Sequence, residues 1–218
     1  GSDAQTAALA AVDALPAMLA MHRMRGIDAD ISRATAMDLA LWMREHHRRH
    51  GAWGLSEGGW LRHHLSGRLL RLGRLQFMPA TCRLNGNHAG AAVASGDAVL
   101  EVHIPAGEPL TREACLDACA RSREVFSGDP WTGWFCRSWL LAPRLAEVLP
   151  PGANILAFQS LFAVLPGEMD DRQSIERIFG AWPLDREQAP RATSLQRAVL
   201  ALYAAGGRLD GAAGFRPR

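Results

Sequence analysis

Apolar positions change their spacing as the chain proceeds. Residues 3–22 are alanine-rich and carry Leu9, Val12, Leu15 and Leu19 three or four apart, the period of one helical face. Arg25-Gly26-Ile27-Asp28 interrupts that run. A second helix is predicted from about Ser32 to His50, with Gly51 placed to stop it, because glycine enters left-handed backbone without a Cβ penalty. Ser56 can cap a third helix that sets Trp60, Leu61, His64 and Leu65 on one side. The pattern predicts a small helical domain over residues 1–66, with Gly1-Ser2 read as a remnant of tag removal.

The period then shortens towards two. In Gly67–Phe77, Leu69, Gly73, Leu75 and Phe77 alternate with Arg68, Arg74 and Gln76, which predicts a strand. Arg83–Asp97 reads as loop, with Asn85-Gly86 as its turn. Ala98–Ile104 is a second strand and Thr111–Phe126 a helix. Trp134–Leu141 is a third strand, followed by a short helix over Pro143–Leu149 that Pro150-Pro151-Gly152 ends. Asn154–Leu165 reads as a long strand and Ser174–Phe179 as a helix. Thr193 and Gln196 form a capping box for a last helix with Leu195, Val199, Leu202 and Tyr203 on one face. Arg208–Phe215 reads as a closing edge strand. Strands interleaved with helices predict an α/β (α+β) domain over residues 67–218, a mixed sheet flanked by helices.

Composition changes this picture little. With 48% hydrophobic and 21% charged residues, the chain has the balance of a soluble globular protein. No apolar run approaches the roughly 18 residues of a membrane span, no signal peptide opens the chain, and a cytoplasmic location is expected. A net charge of +2 argues against a dedicated nucleic-acid binder. All 24 basic residues are arginine, as a GC-rich coding sequence gives and as would suit an enzyme that modifies amines. Between Leu41 and Ala80, seven arginines stand against Glu45 and Glu57, a basic stretch able to dock an acidic partner. Cys82, Cys115, Cys119 and Cys136 match no zinc spacing, and His46 and His50 come without a suitably spaced carboxylate or cysteine. No metal is expected.

The chemistry concentrates around the strand Ala98–Ile104. Leu100, Val102 and Ile104 share one face, which places Glu101 and His103 together on the other. Two ionisable groups there are costly to bury without partners or a role. The same rule in Trp134–Leu141 sets Cys136 and Ser138 on one face and Arg137 and Trp139 on the opposite one. If the two strands are neighbours, these groups converge at one end of the sheet. The stretch from Pro105 to Ala114 then runs into a helix N-terminus, where backbone N–H groups favour a phosphate.

Several stretches, Arg25–Asp28, His47–Leu55, Gly67–Phe77, Val99–Leu110, Cys136–Gln159 and Thr193–Gly207, together resemble the bacterial acyltransferase-domain family, which joins a helical N-terminal domain to a GNAT-like C-terminal domain. The resemblance covers nearly the whole chain, and the chain is shorter than typical members at its N-terminus. It implies an N-acyltransferase that moves an acyl, or fatty acyl, group from a coenzyme A (CoA) or acyl-carrier-protein thioester to a primary amine of a small molecule or peptide side chain. In that frame the strand Val99–Ile104 lines up the donor's pantetheine, and Ile104, Ala106, Gly107, Thr111 and Arg112 stand where the donor pyrophosphate binds. Strand Trp134–Leu141 splays away to leave the reacting wedge, with Leu100, Val102, Leu140, Phe158 and Phe162 as its lining. His103 is then the base, Glu101 its orienting partner or a base through water, and Cys136 or Ser138 the proton donor to the thiolate; Arg137 contacts phosphate or carboxylate. The phosphate-loop pattern Arg/Gln-x-x-Gly-x-Gly/Ala is absent, and Arg137 stands where the family pattern has histidine. These departures favour a second reading, a non-catalytic GNAT-like module binding a peptide or carrier protein. An acyl carrier protein or leader peptide would dock on the arginines between Arg44 and Arg74.

Overall fold

The computed structural model describes residues 2–56, 58–88, 91–165 and 169–218. The chain packs as two compact units that take turns along the sequence. One holds Gly1–Pro79, His103–Glu108 and Ala114–Asp129, and the other Ala80–Val102, Pro109–Glu113 and Pro130–Arg218.

In the first unit, α1 (Ser2–Met24), α2 (Ala29–His50) and α3 (Gly58–Leu65) pack together. Ala8, Ala11, Leu39, Leu55 and Leu61 form their shared core. Gly51 ends α2 with φ 68°, the left-handed stop expected. The Ser56 hydroxyl meets His46 Nδ1 at 2.7 Å. By length and composition alone α1 is apolar enough to cross a membrane over Asp3–Met24, which the sequence reading overlooked because its alanines dilute the apolar pattern. In the unit its Ala8 and Ala11 are buried, and Leu9 and Val12 face outward.

The segment expected as one strand over Gly67–Phe77 is a hairpin. β1 (Leu70–Leu72) pairs antiparallel with β2 (Leu75–Thr81) through Leu70↔Phe77 and Leu72↔Leu75. The two-residue turn between them needs positive φ, which Gly73 supplies at 65°. Alternation continues across so short a turn, so the turn is invisible to periodicity.

The second unit is built on a mixed sheet. β5 (Ala98–His103) runs parallel to β6 (Gly133–Ser138); β6 pairs antiparallel with β8 (Ala212–Pro217), and β8 with β7 (Ala163–Leu165). The closing strand is therefore interior rather than an edge. Close approach is built into it: a Cβ at Gly133 would stand 2.3 Å from the Arg216 carbonyl. The stretch expected as loop holds a small hairpin, β3 (Gly86–His88) with β4 (Ala91–Val93), whose tip lies outside the described residues. Asn85-Gly86 leads into β3 instead of turning. The core under this sheet comprises Cys82, Val93, Val99, Phe135, Leu165, Ala213 and Phe215.

Helices α5 (Leu145–Val148), α7 (Arg172–Phe179) and α8 (Ser194–Ala204) share a second core of Ala142, Leu145, Ile175, Val199, Leu202 and Leu209. The Thr193–Gln196 capping box opens α8 as expected. The long strand expected over Asn154–Leu165 is instead α6 (Asn154–Gln159) followed by β7. Phe158 and Phe162, four apart, stack at 5.2 Å, a helical-turn contact that a run of apolar residues disguises. Likewise Trp139–Leu141 is a 3₁₀ turn and not the end of a strand.

A polar node ties α7 to α8. Asp171, 6% exposed, accepts from the Tyr203 hydroxyl at 2.7 Å and from Arg208 at 3.0 Å, while the Tyr203 oxygen accepts from the Leu209 N–H at 3.1 Å. Burial, with the Asp171 carboxylate beside it, raises the phenol pKa. Tyr203→Phe strands two of these groups and is expected to cost about 2 kcal/mol in urea unfolding.

Candidate active site

β5 carries the residues that the sequence singled out. Val99, Leu100 and Val102 are buried while Glu101 and His103 are half-buried, so the strand is covered on both faces and its two polar side chains sit in a largely dry setting. Its parallel ladder with β6 runs from Leu100↔Trp134 through Glu101↔Phe135 to Val102↔Cys136. β6 itself continues to Ser138, paired with β8 through Ser138↔Ala212. The two strands are thus neighbours. Burial raises the Glu101 carboxyl pKa, and Arg137 and Arg83 pull it partly back.

The other β6 candidates divide. Cys136 is fully buried, and Arg137 is exposed. Ser138 is buried, and its hydroxyl oxygen accepts from the Leu140 N–H at 3.1 Å. That bond starts the 3₁₀ turn, which Gln159 fastens through the Leu140 and Ala142 carbonyls at 2.9 Å each. The Ser138 oxygen thus helps to shape the backbone, through a lone pair that leaves its O–H proton uncommitted by this bond. Leu100, Val102, Leu140, Phe158 and Phe162 are all buried.

In the first unit His103 joins a group that the sequence did not assemble. Its ring lies 4.6 Å from the Trp60 indole, which also touches His64 at 5.4 Å and His63 at 5.7 Å. Three imidazoles thus surround one indole. Burial, then the charges of His63 and His64, drive the His103 pKa down to about 4. It is neutral at physiological pH, better suited to donating a hydrogen bond than to storing a proton.

Behind His64 lies a buried carboxylate. Asp38 Oδ2 sits 2.8 Å from His64 Nε2, with side chains only 3% and 4% exposed. Burial pushes the Asp38 carboxyl up, but His64, Gln76 and Trp42 more than reverse this and hold it below its ordinary range. The Trp42 indole N–H donates to Oδ2 at 3.2 Å. One usable signal for this group lies in the chain itself, an aspartate on the buried stripe of α2 formed by Ser32, Thr35, Asp38 and Leu39.

The loop after β5 is anchored by Arg74, whose buried guanidinium donates to the Pro105 carbonyl at 2.8 Å. Ile104 is half-buried, and Ala106 and Gly107 are exposed, with Gly107 at φ 125°, a conformation open mainly to glycine. Thr111 is half-buried directly before α4 (Arg112–Val125), and Arg112 is exposed in its first turn. Arg48 and Arg49 of the basic stretch both bind Glu45, at 2.7 and 2.6 Å. No cluster of three or more metal-ligating side chains occurs among the described residues.

No curated protein matches the chain in sequence. Among solved structures, an acyltransferase in complex with decanoyl-CoA is similar with a TM-score of 0.83 and 26% identity, over 99% of this chain and 67% of that one. An acyltransferase in complex with decanoyl-CoA and teicoplanin gives 0.80 and 28%, over 94% and 63%. One in complex with CoA and 10C-teicoplanin gives 0.82 and 27%, over the same shares. The chain therefore spans 63% of the length of the latter two. Residues 2–67 match the model of the N-acyltransferase N-terminal domain and residues 69–216 that of the GNAT-like C-terminal domain. With two thirds of its length in the second match and nearly all the rest in the first, the chain belongs to the family that joins an N-acyltransferase N-terminal domain to a GNAT-like C-terminal domain.

Proposed function

We propose that the protein is an N-acyltransferase that moves an acyl group from a CoA thioester to a primary amine on a peptide-type acceptor. The observation that carries this reading is the parallel β5–β6 pair, in register through Val102↔Cys136, with the neutral, half-buried His103 next along β5. The largely dry setting of this strand pair strengthens every hydrogen bond made there. The neighbours named for decanoyl-CoA with teicoplanin and for CoA with 10C-teicoplanin correspond to the two sides of such a transfer.

In this reaction the amine nitrogen bonds to the thioester carbonyl carbon, the carbon–sulfur bond breaks, and the amine gives up a proton. His103, neutral, is suited to donate its ring N–H to the carbonyl oxygen as that oxygen becomes negative. Glu101 lies two residues away along β5, about 7 Å, and burial raises its carboxyl pKa above the ordinary carboxylate value. Ala106, Gly107, Thr111 and Arg112 line the stretch that would take the donor's phosphates at the start of α4.

A carrier-protein donor or a leader peptide docking between Arg44 and Arg74 is a further reading, weakened by the capture of Arg48 and Arg49 by Glu45.

Native mass spectrometry with CoA and with acetyl-, octanoyl- and decanoyl-CoA tests the donor. One thioester is expected to bind per chain, the octanoyl and decanoyl forms more tightly than the acetyl form. Binding of no thioester would return the chain to the reading of a non-catalytic peptide-binding module.

A further inference from the structure

The acyl transfer proposed above needs a group that takes the amine proton, and His103 is poorly suited to hold it. A protonated imidazole in a dry site needs a countercharge beside it. His64 has one: Asp38 Oδ2 lies 2.8 Å from its Nε2, and both side chains are almost fully excluded from water. Gln76 Nε2 also approaches His64 Nε2, at 3.3 Å. The shorter contact to a carboxylate fixes the proton on Nε2, since two acceptors at 2.8 Å would repel. The lone pair is then on Nδ1.

That Nδ1 atom is buried and makes no hydrogen bond within the described residues. Leaving such a group unsatisfied is unfavourable, and a ligand that brings a donor relieves it. The His64 ring stands 5.4 Å from Trp60, and Trp60 stands 4.6 Å from His103. The carboxylate, an imidazole of fixed tautomer, and a bare nitrogen on a ring that shares the Trp60 contact with His103 repeat the logic of a histidine base oriented by an aspartate.

We propose that Asp38 and His64 form the proton-accepting pair of the transfer, with His64 Nδ1 taking the amine proton. This rests on the acyl-transfer reading. As the amine nitrogen attacks the thioester carbonyl, its N–H proton passes to Nδ1. Asp38 holds Nε2–H and offsets the imidazolium charge. When the carbon–sulfur bond breaks, the electron pair leaves on sulfur, and the Nδ1 proton moves to the thiolate to give free CoA. The amide forms and the pair returns to its starting state, with no other reactant consumed.

The test uses decanoyl-CoA and teicoplanin as probes, with thiol release and product mass as readouts. Asp38→Asn keeps the shape and lets the His64 tautomer reverse. It is expected to lower kcat by about 100-fold or more, with decanoyl-CoA binding unchanged by native mass spectrometry. His64→Gln keeps a donor to Asp38 and lacks the basic nitrogen, so it should lose kcat to a similar degree. It decides the matter if Asp38→Asn fails to fold. Long-range ¹H–¹⁵N spectra of the wild-type protein should show His64 as the Nε2–H form at pH 8. Turnover within about 3-fold of wild type in the folded variants, or a His64 protonated on Nδ1 at pH 8, would overturn the pair while leaving acyl transfer standing. A wild-type protein that transfers nothing from decanoyl-CoA to teicoplanin removes the acyl-transfer reading for these substrates, and the pair with it.

Discussion

Replacing His103 by alanine is expected to slow acyl transfer by about 100-fold while decanoyl-CoA still binds. The size follows from the role. A neutral imidazole in a dry pocket gives one preorganised donor to the oxygen that gains charge in the transition state, and removal of one such donor costs roughly 100- to 1,000-fold in kcat. Binding should survive, because the donor's length is held along the strand and the loop rather than at the reacting carbon. His103→Gln, which keeps an N–H donor, should recover part of the loss. If His103 were merely a packing partner of Trp60, glutamine and alanine would both affect stability, and neither would change kcat selectively. Steady-state kinetics paired with circular dichroism separates these cases.

The second large effect is on stability. In the folded state burial and the neighbouring histidines hold the His103 pKa at about 4, while in the unfolded chain it returns to about 6.5. Between those values the unfolded state binds the extra proton and the folded state does not. Stability is therefore full above about pH 6.5 and falls as the pH drops towards 4. The loss from this one residue reaches about 3 kcal/mol at most near pH 4. The Asp38 carboxyl, held below its usual range, extends the same trend to lower pH as it becomes protonated. Urea unfolding at pH 7.5, 6, 5 and 4.5 measures the slope. His103→Gln should flatten it over this window even if its stability at pH 7.5 is lower. An equal slope in the two proteins would show that His103 is not held neutral.

Much of the fold was readable from spacing because helical and strand periods differ. The three N-terminal helices, α4, α7, α8 with its capping box, and the β5 and β6 strands all announce themselves by apolar positions or by Gly and Thr at their ends. The failures share one cause. From Ile155 to Phe162 apolar residues run on with only Gln159 and Ser160 between them, too few polar positions to reveal a period. The Gly73 turn failed for a related reason, since a two-residue turn preserves alternation. For the site, alternation placed Glu101 beside His103 on one strand and Cys136 beside Ser138 on another. It could not show that the Ser138 oxygen accepts from the Leu140 N–H. Nor could it bring Asp38 to His64 across 26 positions, because a contact between helices leaves no local periodic trace.

The alternation of the two units along the sequence has a practical consequence for handling the molecule. The chain passes between them five times, and β5 is divided at Val102 and His103. A single cut between residues 67 and 69, where the two family domains meet, would strip the first unit of the β1–β2 hairpin, the segment bearing His103, and most of α4. Neither half could then be expressed as an intact unit. Excision with restored packing would require rejoining three separate stretches in a new order of connection. Limited proteolysis of the native protein should therefore give nicked molecules that stay whole in gel filtration more readily than two separable folded fragments.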